Sequence, residues 1–254
     1  MVKKSNIPSD ILKYSEQFKH IELFEGLEGT DLAFLLSAAQ IKNMKAHERL
    51  LSQGEAPSHL IVLLSGQAKI YRLHANGREA VIDILAPYHL MFASAIMAEE
   101  LSPVSGEVIK ESEVMMIPAA VVREQALLNQ RFAANITRVL ACQVNQMMFQ
   151  FEVVSLRSAK ERVGTFFLSS MLEQRASGGD FELAFEKNTI AHHLGMSPET
   201  LSRALKDLKQ DGIYVQGNQV TLSNSCSLCK FYDAVLAQKC EKAGTLSCPH
   251  YHKE

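Results

Sequence analysis

Residues 187–210 read KNTIAHHLGMSPETLSRALKDLKQ, the pattern of two short helices joined by a tight turn. Thr189 stands where it can cap the first helix, whose apolar side is Ile190, Ala191 and Leu194, and Gly195 supplies the reversal. Ser197 is placed to cap the second helix, with Pro198 at its first position. Glu199 falls in the first turn, where a carboxylate meets the positive end of the helix dipole. Leu201, Ala204, Leu205 and Leu208 form a stripe that must pack inward. Glu199, Ser202, Arg203 and Lys206 follow one another at helical spacing on the opposite face, and Ser197 and Thr200 complete the candidate contact set at the helix start. A guanidinium grips guanine O6 and N7 together, and a carboxylate accepts from the cytosine amine. The stretch therefore predicts a helix-turn-helix whose second helix reads the major groove of double-stranded DNA.

The flanking sequence extends this module over residues 157–223. Downstream, Gly212 stops the second helix, and Ile213-Tyr214-Val215 and Val220-Thr221-Leu222 flank Gln216-Gly217-Asn218-Gln219 as a β-hairpin wing. Upstream, residues 160–172 form a leading helix with Val163, Phe166, Phe167 and Met171 inward. Ser177-Gly178-Gly179 is a loop and residues 181–185 a short strand. Residues 119–156 read as a long helix. Within it Leu140, Val144, Met147, Phe151 and Val154 step by 4, 3, 4 and 3, the seam of a two-stranded coiled coil; burial against the chain's own barrel suits the first half of the helix, and the second half predicts a homodimer. From about residue 44 to 118 short apolar runs alternate with turns, and Gly54, Gly66 and Gly77 recur every 11 to 12 residues, as in a compact antiparallel barrel or sandwich. Asn76-Gly77 is the clearest hairpin signal. Residues 7–40 carry short helical patterns, with Ile21, Leu23 and Phe24 before a turn at Gly26 and with Leu32, Leu35 and Leu36 on an amphipathic helix. The expected division is 1–118, 119–156, 157–223 and a tail over 224–254, in an α+β chain.

Composition narrows the classes. The 254 residues are 47% apolar and 21% charged, a globular balance long enough for two cores. The net charge of −2, with eight basic and eight acidic residues between Arg157 and Ser223, gives DNA binding no bulk attraction, so it must rest on local placement of charge or on dimerisation. No stretch approaches the length of a membrane span, and MVKKSNIPSD leads into no apolar signal core, so a cytoplasmic protein is expected. In that compartment free thiols and metal sites are favoured over disulfides.

The order of parts resembles the CRP/FNR family of bacterial transcription regulators over residues 20 to 223. The carriers are SQGEAPSHLIVLLSGQAKIYRLHANGREAVI and IAHHLGMSPETLSRALKDLKQDGIY. The resemblance implies a cyclic-nucleotide-binding-like β-roll, a dimerisation helix and a winged helix-turn-helix, in a regulator rather than an enzyme, with RNA polymerase as a further partner. Glu199, Ser202 and Arg203 match the E-x-x-S-R pattern of the FNR-type recognition helix, which implies an inverted repeat resembling TTGAT-N4-ATCAA. Cyclic-nucleotide-binding members hold ribose and phosphate with a Gly-Glu pair and, about ten residues on, an Arg-Ser pair. The matching stretch here is LMFASAIMAEELSPVSGEV, with Ala93 or Ser94 at the Glu position and Pro103 or Val104 at the Arg position. No Lys or Arg stands between Arg78 and Lys110, so a buried phosphate would lack its charge partner, and cyclic AMP is not the expected effector. The apolar run Leu90, Met91, Phe92, Ala95, Ile96 and Met97 suits either core packing or a cavity for haem or an organic ligand. His20, His47, His59, His74 and His89 are candidate haem ligands with no motif around them.

The tail carries four of the five cysteines, as Cys226-x2-Cys229-x10-Cys240-x7-Cys248. A C-x-x-C pair brings two thiolates to one metal from a single turn, and the other two, separated by a short helical stretch over residues 232–239, can close the set. Four thiolates suit an iron–sulfur cluster, [4Fe–4S] or [2Fe–2S], or a structural zinc. Cys248-Pro249 leans toward iron–sulfur, while His250 and His252 keep a mixed-ligand zinc site open. FNR-type clusters use cysteines near the N-terminus, and this chain has none before Cys142, so a tail cluster would be a different placement. Cys142 itself reads as a small apolar filler. The leading expectation is a homodimeric regulator sensing oxygen, nitric oxide or redox state through the tail. Alternatives are sensing through the β-roll with a zinc-stapled tail, a thiol redox enzyme built on C-x-x-C, and a structural or interaction protein using the long helix.

Overall fold

The computed structural model describes residues 7–27, 29–75, 77, 79–174, 180–224, 226–231, 236 and 240. The chain divides into two compact units, 1–146 and 147–254, and the division falls within one long helix.

In the first unit a short helix α1 (Ser9–Leu12) and a longer one, α2 (Gly29–Ala38), precede eight strands. These are β1 (Gln40–Met44), β2 (Arg49–Leu51), β3 (His59–Ser65), β4 (Ala68–Leu73), β5 (Glu79–Leu85), β6 (Leu90–Met91), β7 (Ser105–Val108) and β8 (Ser112–Pro118), with helix α3 (Ala93–Ala98) between β6 and β7. Two four-stranded antiparallel sheets result, β1-β8-β3-β6 and β2-β7-β4-β5. Leu60, Leu63, Val108, Val114, Met115 and Ile117 fill the core. The glycine spacing marks real turns: Gly54, Gly66 and Gly77 all have positive φ. At Gly66 a Cβ would lie 2.1 Å from the Ser112 hydroxyl oxygen, so the β3–β4 turn has no room for a side chain as well as a left-handed backbone. The hairpin expected around Gly77 joins β4 to β5, which pair from Leu73 with Glu79 to Ala68 with Leu85.

The helix expected over 119–156 is two helices, α4 (Ala119–Leu128) and α5 (Gln130–Leu156). Asn129 breaks it with an extended backbone. Its amide closes α4 on the Gln125 carbonyl at 2.9 Å, and its side-chain oxygen accepts from the Phe132 amide at 2.9 Å, capping α5. Phe132, Ile136 and Val139 then bury one side of α5 in the first unit's core. Buried Asn135 donates to the carbonyls of Leu23 and Glu25, which ties the N-terminal segment to this helix.

The second unit holds the end of α5, then α6 (Ala159–Glu173), β9 (Phe181–Glu182), α7 (Lys187–His193), α8 (Pro198–Leu208), β10 (Ile213–Gln216) and β11 (Gln219–Leu222). Ser158 and Glu161 form a capping box at the start of α6. The strands make a three-stranded antiparallel sheet in the order β10-β11-β9. The expected strand over 181–185 is shorter because only Phe181 and Glu182 find ladder partners, Val220 and Gln219, on β11. Among the described residues no helix is long and apolar enough to cross a membrane.

Candidate nucleic-acid interface

Helix α7 starts at Lys187, two residues before Thr189. Glu186 is the N-cap, in an extended conformation and with no side-chain capping bond, so the expected cap at Thr189 is corrected: that residue lies inside the helix. Ile190, Ala191 and Leu194 are buried as expected. Gly195 makes the reversal with φ of 62°, where a Cβ would press within 3.1 Å of the Val154 side chain. The carbonyls at the end of α7, which no helical amide can reach, are taken by side chains. Gln150 donates to His193 O at 2.9 Å, and Arg162 donates to Leu194 O at 3.1 Å.

Helix α8 follows with Ser197 as N-cap and Pro198 in the first turn. The Ser197 hydroxyl accepts from the Thr200 amide at 3.2 Å, and the two hydroxyls lie 3.1 Å apart. Leu201, Ala204 and Leu208 are buried, Leu205 is half-buried, and Glu199, Ser202, Arg203 and Lys206 are exposed. The last four share one open, shallow surface with Pro198. The hydrogen bond from Ser197, the Glu199 amide and the Arg203 charge together hold the Glu199 carboxyl below the usual carboxylate range. At neutral pH the face thus presents one anion, one hydroxyl and two cations, with the acceptor and the planar donor one helical turn apart. Donors and an acceptor of this kind, on a capped helix, are chemically suited to base edges and phosphates.

His193 is the last residue of α7. Its ring meets Phe166 edge-on at a centroid distance of 5.9 Å, and its Nδ1 is buried with no hydrogen-bond partner among the described residues. Burial pushes its pKa down to about 4. The folded form therefore resists protonation while the unfolded chain accepts a proton near pH 6.5. Stability is complete above about 6.5 and falls as pH drops toward 4. The second unit should lose on the order of 2–3 kcal/mol between pH 7 and 4 through this group. Urea melts of His193→Phe should show that part of the acid loss removed; an unchanged pH dependence would place the proton elsewhere.

The seam residues are divided. Leu140 packs against the first unit's core, and Val154 is half-buried beside Gly195. Val144, Met147 and Phe151 stand 55%, 60% and 74% exposed, joined by Met148, which the heptad pattern did not include. On the β-roll, Leu90, Met91, Phe92 and Ile96 belong to the hydrophobic core. His20, His47, His74 and His89 are exposed and His59 half-buried. His47 pairs with Glu107, His59 with Ser58, and His89 with the Ala86 carbonyl.

In the tail, Cys226 and Cys229 occupy one turn, closed by the Cys229 amide on the Cys226 carbonyl at 2.9 Å. The Cys226 amide donates to the Asn224 side chain at 2.9 Å. Cys226, Cys229 and Cys240 are half-buried, Cys142 is exposed, and none of the four is disulfide-bonded. Among the described residues no group of three or more His, Cys, Asp and Glu converges as a metal site. Cys248, His250 and His252 lie outside the described residues, as do Asn76 and Ser177-Gly178-Gly179.

A β-roll followed by a winged helix-turn-helix defines a DNA-binding regulator. Residues 41–129 match the cyclic nucleotide-binding domain family, and residues 161–231 match the Crp-like helix-turn-helix domain family. The transcriptional activator protein FnrA of Stutzerimonas stutzeri is 26% identical over 190 residues, 73% of this chain and 78% of that protein. The anaerobic regulatory protein of Pasteurella multocida is 25% identical over 191 residues, 74% of this chain and 70% of that protein. The structure of FixK2 from Bradyrhizobium japonicum shares the fold, with a TM-score of 0.69 at 22% identity over 77% of this chain and 98% of that one. The chain belongs to the CRP/FNR family: it is a DNA-binding transcription regulator and not an enzyme.

Proposed function

We propose that this regulator works in the cytoplasm as a homodimer, reads an inverted repeat resembling TTGAT-N4-ATCAA, and senses oxygen, nitric oxide or redox state through a group held by Cys226, Cys229, Cys240 and Cys248. In this reading residues 1–118 are the β-roll domain, 119–156 the dimerisation region, 157–223 the DNA-binding domain and 224–254 the metal-binding tail, with RNA polymerase as the further partner. The observation that carries it is the exposed row Glu199, Ser202, Arg203 and Lys206 on a helix capped by Ser197. Ser197 and Thr200 at the helix start complete the contact set. Titration of an inverted-repeat duplex against a scrambled one tests it directly; equal affinity for both would end the sequence-specific reading.

The group that four tail thiolates would suit is an iron–sulfur cluster, of the [4Fe–4S] type, and the reading is supported by the placing of Cys226 and Cys229 in one backbone-bonded turn. The name of the anaerobic regulatory relative supports an oxygen-linked signal. When bound, a cluster would supply a tie that oxygen or nitric oxide can break; the chain's part would be to hold its four ligands in place. Cyclic AMP is not proposed, because the stretch from Arg78 to Lys110 carries no cation between its ends. Haem is not favoured, because Leu90, Met91, Phe92 and Ile96 of its candidate cavity residues belong to the hydrophobic core.

Protein purified without oxygen should carry iron and a broad absorbance near 400 nm. Replacing any one of the four tail cysteines by Ser should remove most of the metal, whereas Cys142→Ser should not. A colourless zinc protein with the same cysteine dependence would make the tail a structural staple. A sharp Soret band would return sensing to the β-roll. Full metal content after Cys240→Ser and Cys248→Ser would sink the four-thiolate site.

A further inference from the structure

The cysteine turn is not a loose appendage of the DNA-binding unit. The segment from Ser223 to Phe231 is fastened at both ends. At one end the Ser223 amide donates to the Gly212 carbonyl at 2.8 Å, and Gly212, in the left-handed region, leaves no space beneath it: a Cβ there would fall 1.8 Å from the Ser223 hydroxyl oxygen. At the other end the buried Phe231 ring lies against Gly164 of α6, where a Cβ would fall 2.4 Å from ring carbons. Leu228 is fully buried between them. Lys230, next to Cys229, makes an ion pair with Asp211. Asp211 also pairs with Lys160 in the first turn of α6, at 2.7 Å.

Asp211 closes the short turn that continues α8, three residues beyond its last one. Its side chain is only 16% exposed, and one carboxylate is shared between two ammonium groups from different elements. An isolated surface pair would matter little, but a shielded carboxylate bridging two cations fixes three elements at once. A change of ligation that reshapes the Cys226–Cys229 turn acts directly on Lys230, which follows Cys229 and precedes the anchored Phe231.

We propose that residues 223–231 act as a clasp and that Asp211 is a positioning residue, tying the pose of α8 to the state of the Cys226–Cys229 turn. This rests on the reading of α8 as the DNA-contacting helix and of the cysteines as metal ligands. It gives the regulator a signalling path that stays inside the DNA-binding unit.

The test is a double-mutant cycle on the full chain, purified without oxygen. Lys230→Met keeps the aliphatic stem and removes the charge. It should leave metal content unchanged and shift affinity for the inverted repeat about 5-fold, the size of one partly shielded ion pair. The shift should have the same direction as that produced by Cys226→Ser with Cys229→Ser, and Lys230→Arg should restore the parent value. Added to Lys230→Met, the cysteine changes should have little further effect. The salt dependence should stay that of the parent, since a lost phosphate contact would lower it. Hydrogen exchange over residues 198–211, measured without DNA, should rise in both single backgrounds and no further in the combination.

Fully additive effects, unchanged exchange in the cysteine variant, or loss of metal from Lys230→Met would each overturn the clasp. Failure of the parent to prefer the inverted repeat would instead count against the DNA reading, and the exchange data would still decide the coupling.

Discussion

Arg203→Ala is expected to erase the preference for an inverted TTGAT-like repeat over scrambled DNA while leaving the fold intact. The side chain is exposed on α8, so stability should move by no more than about 0.5 kcal/mol. A bidentate guanine contact is worth about 1–3 kcal/mol per half-site, and a dimer loses it twice. The combined loss of about 2–6 kcal/mol corresponds to roughly 30-fold to 10⁴-fold in affinity for the specific site. Binding to scrambled DNA should change far less. Arg203→Lys should recover only part of the preference, because an ammonium lacks the planar fork. Lys206→Ala provides the contrast: as a phosphate contact it should weaken both duplexes alike and reduce the salt slope by about one. Should Arg203→Ala bind the two duplexes as the parent does, base reading must be assigned to another face.

The features that were legible in the sequence are those fixed by local chemistry. Ser197, Pro198 and Gly195 announce a cap, a first turn and a reversal because each side chain, or its absence, suits only a few backbone conformations. The spacing of Gly54, Gly66 and Gly77 works for the same reason. Features that residue type leaves open differ from the expectation. Thr189 looks like a cap, yet the helix begins earlier, with Glu186 extended and the Ile190 amide bonded to the Glu186 carbonyl at 3.0 Å. Asn129 divides a run that is helical on both sides, and one asparagine among good helix formers gives little warning.

Ser158-x-x-Glu161 carries the capping-box signature in its residue types alone. Past the wing, the cysteine spacing points to metal, and the apolar residues between the cysteines carry a second signal. Leu228 and Phe231, apolar at i and i+3, were the sign that this stretch packs against α6. The Asp211 bridge could not have been read from the sequence at all, since Lys160 and Lys230 lie 51 and 19 residues from it.

Met147→Glu combined with Phe151→Glu should convert the protein to monomers and weaken operator binding by roughly 10²-fold to 10⁴-fold. In a single chain Val144, Met147, Met148 and Phe151 hold a run of α5 open to water, with Phe151 74% exposed. Burying one such side chain contributes about 1.5–3 kcal/mol, so leaving four of them uncovered is a strong drive for a parallel partner helix to cover the stripe. Leu140 and Val154, at the two ends of the seam, are partly occupied within their own chain, so the contact should centre on Met147 and Phe151. Four carboxylates facing one another across a two-helix seam repel and cannot be desolvated, which removes the apolar gain and adds a penalty. A monomer still has its reading helix. It loses the second half-site, which in the dimer binds at an effective concentration in the millimolar range and contributes most of the operator affinity. Sedimentation should show half the parent mass, and the affinity for a single half-site should be close to that of one arm of the parent. An unchanged dimer in the double variant would move the interface off this stripe. A clean monomer that binds the full operator as tightly as the parent would separate dimerisation from recognition altogether.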